Sequence, residues 1–320
     1  MLNSKFGIEI EFTGITRTRA AEVAKEHLNG RIDYRGYNHV VAPDGRVWKF
    51  VSDGSITCQK KSGGRIISAS DDHAVELVSP ILSYHSDIKV LQELVRKLRR
   101  AGGFTNNTCG IHIHLNGADH TPRSIRNFVN IIASKNDLLY KALQVAPERQ
   151  RYCKKLDEYL VTEMNRRNPT TFPQIKNIWY GNFQSNQTYR YNASRYYFLN
   201  LHSFFRGTPG TGASTVELRG FNGVLHAGKV RAFICLALAL NAQALSQTSA
   251  SSRKSQAENE KFAMRVYLNR IGFIGDDFKS CREHLYKHLD GNAAWRYGRD
   301  LRKDNNNQPT TNLNGGQANA

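Results

Sequence analysis

The sequence predicts an α+β protein, in which short strands carrying paired polar residues share one sheet and longer amphipathic segments pack on it as helices. Three observations lead there. Phe6-Gly-Ile-Glu-Ile-Glu-Phe12 alternates apolar and polar residues strictly; the same alternation returns in 109–116 and 214–221; and segments with apolar residues three and four apart, clearest in 122–145, lie between them.

Successive strand side chains point to opposite faces, so Phe6, Ile8, Ile10 and Phe12 share an apolar face and Glu9 and Glu11 share the other. Carboxylates two residues apart on a strand lie about 6–7 Å from each other. At an effective dielectric of about 20 they repel by roughly 2–3 kcal/mol, which solvent, protonation or a bound cation must offset. Residues 18–28 have helical spacing and stop at Asn29-Gly30. Val40-Val41 and 47–51 form a hairpin around Pro43-Asp44-Gly45, leading into Asp53-Gly54-Ser55. After a glycine-rich gap at 62–64, the 74–80 strand places Glu76 among apolar residues and ends at Pro80. Ile88, Leu91, Leu94, Val95 and Leu98 mark a helix closed by Gly102-Gly103. The 109–116 strand then sets His112 and His114 on one face, and Pro122 opens a helix that runs to Val145.

Residues 149–194 are polar, asparagine-rich and dotted with Trp179, Tyr180, Phe183, Tyr189 and Tyr191. They read as a long lid or binding segment without assignable elements. Residues 195–201 read as a strand and 207–212 as a turn, and the 214–221 strand puts Glu217 and Arg219 on one face. An apolar helix over 227–245, a serine-rich linker over 247–260 and a helical part over 261–302 complete one domain, 1–302. Residues 303–320 are Asn/Gly/Gln-rich and read as a disordered tail.

Lys and Arg total 45 against 27 Asp and Glu, a formal net charge of +18 that attracts polyanions: nucleic acid, nucleotide phosphates or an acidic peptide. The basic runs at 96–100, 149–155 and 296–303 read as solvated helix faces. A hydrophobic content of 40% excludes wholesale disorder. Five scattered cysteines without Cys-x-x-Cys spacing suit reduced thiols. With no leader-like start and no apolar run longer than 233–240, the expectation is a cytoplasmic protein with no membrane span.

Glu9/Glu11, His112/His114 and Glu217/Arg219 repeat one device on three strands, and Glu76 adds a fourth contribution. Brought into one sheet, they make a wall of carboxylates and imidazoles suited to Mg²⁺ or Mn²⁺, with Arg219 placed to meet an anionic ligand. His-x-His with a carboxylate also suits zinc, but the number of carboxylates favours the harder cations.

These residues, together with Asp53-Gly54-Ser55, 76–80, 110–114, 195–200 and 216–221 in that order, resemble the motifs of the amidoligases. That family sits with glutamine synthetase and glutamate-cysteine ligase among the carboxylate-amine ligases. The resemblance covers 6–245. It implies a glutamine synthetase-like mixed, largely antiparallel catalytic sheet flanked by helices, which binds ATP and divalent cations and makes an amide through an acyl phosphate. By the same resemblance Glu9, Glu11, Glu76, His112 and Glu217 hold the metals, Glu9 with His112 and Glu217 and Glu11 with Glu76. His114 faces the nucleotide phosphates, Arg219 stabilises the transferred group, and Arg195 and Asn200 hold nucleotide or the carboxyl substrate. Asp53 takes a proton from the amine or holds its ammonium form, although Asp-Gly-Ser is equally a turn. The reading from another class is a basic nucleic-acid-binding protein or metal-dependent nuclease, suggested by charge and aromatic content. The amine and carboxylate substrates and the oligomeric state are not legible in the sequence.

Overall fold

The computed structural model describes residues 1–33, 38–181, 187–254 and 257–296. Phe183, the end of the 296–303 basic run and the tail expected over 303–320 lie outside them. The chain runs β1 (Phe6–Phe12), α1 (Arg17–Leu28), β2 (Arg31–Asp33), β3 (His39–Val41), β4 (Val47–Val51), β5 (Gln59–Ser62), β6 (Arg65–Ser68), β7 (Val75–Val78) and α2 (Tyr84–Arg100). It continues through β8 (Gly110–Asn116), α3 (Pro122–Leu143), α4 (Pro147–Gln150), α5 (Glu158–Arg167), α6 (Phe172–Trp179), β9 (Leu199–Asn200) and α7 (His202–Arg206). It ends with β10 (Thr215–Asn222), α8 (Ala227–Ser246), α9 (Glu260–Arg270) and α10 (Lys279–Tyr286).

Eight strands form one sheet in the order β2-β3-β4-β7-β1-β8-β10-β9. Every ladder in it is antiparallel, so the sheet expected to be mixed is antiparallel throughout its described pairings. The reason lies in β1. It sits between β7 and β8, antiparallel to both, so the β7–α2–β8 crossover joins two parallel strands that never pair with each other.

The apolar face of the sheet carries Ile8, Ile10, Phe12, Val75, Leu77, Ile111, Ile113, Val216 and Leu218, all buried. Helix α1 covers β3 and β4, α8 covers β8, α3 packs on β10, and α2 packs on both α1 and α8. Local signals fix the helix ends. Thr16 caps α1 and Asn29 closes it in the left-handed conformation, while Thr121, Pro122 and Ser124 make a capping box for α3. Helix α8 is long and apolar enough by length and composition to cross a membrane, contrary to expectation. In this structure 67% of its most apolar window is buried, against the sheet, α2, α3 and α10.

The 149–194 segment is not a structureless lid. Asp157 caps α5, and Thr171 with Gln174 makes a capping box for α6. These helices of 10 and 8 residues are too short for their periodicity to stand out. The strand expected over 195–201 shrinks to the two residues of β9, because Asn192 caps a 3-10 turn over Ala193–Tyr196. The glycine gap at 62–64 is the turn of the β5–β6 hairpin.

Strand β10 slips register against β8 between Leu218 and Phe221, and Gly220 lies in that bulge. A Cβ there would come within 1.9 Å of the fully buried Phe198 ring. Gly220→Ala is therefore expected to cost about 1–3 kcal/mol through overpacking, read as a lowered urea midpoint, and to displace the neighbouring Arg219.

Candidate functional site

Antiparallel register places the polar pairs side by side. Glu9 lies opposite His112, Glu11 opposite Glu76, and His114 opposite both Gly7 and Glu217. His112 Nδ1 is 2.9 Å from Glu9 Oε2, and its Nε2 is 3.6 Å from Glu11 Oε1. His114 Nε2 is 3.2 Å from Glu9 Oε1, yet it is buried and has no aligned hydrogen-bond partner. Three sets of side chains can each bring ligand atoms within 4.8 Å of one another: Glu9, Glu76 and His112; Glu9, His114 and Glu217; and Glu11, Asp53 and Glu76.

The expected neighbours meet here, His112 Nδ1 lying 3.9 Å from Glu217 Oε1 as well as beside Glu9, and Glu11 grouping with Glu76, but the sets are wider. Glu9 belongs to two sets, Glu217 joins it together with His114, and Asp53 enters as a third carboxylate beside Glu11 and Glu76. Asp53 is also a turn residue, because its Oδ1 accepts the Ser55 N–H at 2.7 Å. The two readings of Asp-Gly-Ser coexist on one side chain.

Positioning contacts hold the acids in place. Glu217, 2% exposed, accepts from Arg219 Nη1 on one oxygen, and from Asn200 Nδ2 at 2.6 Å and Ser203 Oγ at 3.1 Å on the other. Asn200 also accepts the His202 N–H at 2.7 Å, so both ends of its amide are engaged inside the protein. In this structure the contact it makes with the site is through Glu217. Glu11 accepts the Gly110 N–H at 2.6 Å. Arg149 was not legible as a site residue, because it opens a basic run that reads as a solvated face. It is 3% exposed, and its guanidinium donates to the Phe221 and Arg219 carbonyls, pinning the bulge. No local signal marks it: a Cβ on Gly110 would strike its guanidinium at 2.2 Å, and only the fold brings the two together.

Glu11, His112 and Arg219 line a cavity of about 120 Å³ together with Asp53, Ser55, Tyr152, Arg195 and Tyr196. A larger cavity of about 600 Å³ beside α9, lined by Lys135, Phe262, Tyr267 and Arg270, contains none of the paired polar residues. The chemistry-bearing groups choose the smaller one.

Burial, and then the charges of Glu9, Glu11 and Asp53, push the Glu76 carboxyl up to about 9. Burial opposes ionisation of Glu9 as well, but His114 and His112 outweigh it and hold that carboxyl well below its usual range. For His114 burial disfavours the charged ring, and Glu9 with Glu217 overcomes it and raises the group to about 9. Glu217 is drawn down to about 2, because Arg219 and the two histidines outweigh its burial. Glu76 is thus the acid whose charge the protein's own cations do not offset. Together with the three ligand sets and the unaligned His114 nitrogen, it shows a donor array that fits a divalent cation.

A pH dependence follows for chelator-treated protein. Glu76 is raised in the fold, so its contribution to stability is complete below about 4.5 and is lost as pH rises to about 9. His114, also raised, acts in the same direction from about 6.5 to about 9. The urea midpoint is expected to fall across this window, and Glu76→Gln to flatten its acidic half.

A family model described as "Putative amidoligase enzyme" matches residues 2–241, three quarters of the chain, from before β1 to within α8. Nothing among curated proteins matches the sequence significantly.

Proposed function

Since the chain belongs to the amidoligase family, we propose that it joins a carboxylate to an amine at the expense of ATP, through an acyl phosphate. The antiparallel sheet, with helices on its apolar face and acids on the other, supports a glutamine synthetase-like catalytic sheet. The observation that carries the reading is Glu9 at the junction of two ligand sets, beside a Glu76 that burial and neighbouring carboxylates keep neutral.

Glu9, Glu11, Glu76, His112 and Glu217 would hold the cations. When bound, Mg²⁺ or Mn²⁺ would neutralise and align the nucleotide phosphates. His114 stands at the more open end of the face, where its raised basicity suits it to donate to phosphate oxygens. At the cavity end Arg195 offers its fork to the substrate carboxylate. The carboxylate oxygen attacks the γ-phosphorus and ADP leaves. Arg219, fixed by Glu217 and the Tyr152 carbonyl, stabilises the charge developing on the transferred group. The amine then attacks the acyl carbon, phosphate departs, and the Asp53 oxygen not held by Ser55 accepts the amine proton.

The test is phosphate release from MgATP that requires an acid and an amine together. Failure of the purified protein to bind Mg-nucleotide at millimolar concentration would overturn the proposal.

A further inference from the structure

We infer that the acid substrate is a carboxylate-rich stretch of polypeptide, received by a ladder of arginines and tyrosines along the mouth of the small cavity. This rests on the amide-forming reading of the site and adds the class of substrate to it. Arg151 lies over the Tyr152 ring at 4.8 Å, and Tyr152 meets Tyr196 edge-on with centroids 5.7 Å apart. Arg195 lies 5.6 Å from the Tyr196 centroid and 5.3 Å from that of Tyr191, and Arg190 lies 5.5 Å from Tyr191. Tyr152, Tyr191, Arg195 and Tyr196 line the same cavity as Glu11, His112 and Arg219.

Among the described residues none of Arg151, Arg190 and Arg195 forms an ion pair, whereas Arg219 on the cavity floor is held by Glu217. For Arg190 and Arg195 the sequence offers no nearby acid, because no Asp or Glu occurs between Glu163 and Glu217; Glu148, three residues before Arg151, accepts from Asn107 instead. Three guanidinia in a row without ion-pair partners can each receive a carboxylate from elsewhere, and a chain that offers several at once gains by multivalency.

One feature favours polypeptide over nucleic acid, and a second favours an extended ligand over an enclosed one. A single strand binds by stacking bases on open aromatic faces, but here each rim tyrosine already carries a guanidinium over its ring, and Tyr191 carries two. Arg195 Nη1 donates to the Arg190 carbonyl at 3.3 Å; the other N–H groups of the three guanidinia are left to meet carboxylates. The cavity, about 120 Å³, is also well below the roughly 300–1,000 Å³ of sites that enclose a whole drug-sized ligand. It accepts the end of one acidic side chain while the neighbouring acids lie along the rim.

The test is fluorescence anisotropy of a fluorescein-labelled hexaglutamate peptide on the full chain, with and without MgATP. Binding is expected to weaken about tenfold or more in Arg190→Gln/Arg195→Gln, and several-fold in Arg195→Lys, which keeps the charge but loses the planar fork. The triple variant Arg96→Gln/Arg99→Gln/Arg100→Gln, on the far-lying α2, removes one more charge than the rim double and should stay within about twofold. With a common amine, hexaglutamate should show a lower KM than free glutamate. Unchanged affinity in the rim variants, equal loss in the α2 variant, equal KM values, or displacement of the peptide by a tighter-binding hexanucleotide would each overturn the inference. If the peptide binds as expected but no acid and amine pair releases phosphate from MgATP, the rim stands as a peptide surface and the amide-forming reading falls.

Discussion

Glu9→Gln is expected to lower acid- and amine-dependent phosphate release by about 10³-fold or more, roughly 4 kcal/mol of transition-state stabilisation. The substitution conserves shape and leaves an oxygen facing His112, so the sheet should persist. What disappears is the carboxylate common to two ligand sets. His114 is affected as well, because burial disfavours its charged form and Glu9 is the foremost group that opposes burial. One neutralised oxygen therefore weakens a cation site and the phosphate-facing imidazolium together. The check is steady-state phosphate release alongside a Mg²⁺ titration. Turnover within tenfold of the wild type would show that Glu9 is an ordinary strand residue.

Glu217→Ala should be the most destabilising single change in the site, at about 3–5 kcal/mol. Glu217 and Arg219 are 2% and 6% exposed, and they bond to each other where β10 enters its bulge. Truncating the acid leaves a buried guanidinium with only carbonyl partners, and it also strands the amide of Asn200. Arg219→Ala should cost less, because Asn200 and Ser203 still satisfy one oxygen of Glu217. The urea midpoints of the two variants give the order directly. The acid limb of stability gives a second readout. Glu217 is depressed to about 2, so its contribution is present above about 4.5 and is lost as pH falls through about 2. That part of the profile should vanish in Glu217→Ala.

The site was legible where one strand's alternation carried it. Glu9 with Glu11 and His112 with His114 could be placed on common faces from period two alone, and the register of β1 against β8 then made them neighbours. Glu76 was visible as an acid inside an apolar strand. The further members of the ligand sets, Glu76 beside Glu9 and His114 beside Glu217, were not legible, because they depend on χ angles and on which carboxylate faces which ring across a ladder. Asp53 shows the limit well: its turn is local and readable, while its approach to Glu11 and Glu76 is tertiary. Arg149 escaped for the same reason: it reads as part of a charged surface until the bulge of β10 gives it internal partners. Asn200 was picked out from sequence, but its bond to Glu217 depends on the two-residue β9. The helices α5 and α6 carried clear start signals in Asp157 and Thr171, and were missed because they end before a periodic stripe develops.

The central claim is that the acid face forms an amide through an acyl phosphate. Its most direct test supplies MgATP, pooled amines and a carboxylate substrate labelled with ¹⁸O, and analyses the products by mass spectrometry beside a Glu11→Gln control. The account predicts a product with the mass of acid plus amine less water, and inorganic phosphate carrying one ¹⁸O from the carboxylate, both absent in the control. Phosphate without label, or no condensation product while nucleic acid is bound or cut with metal alone, would contradict it.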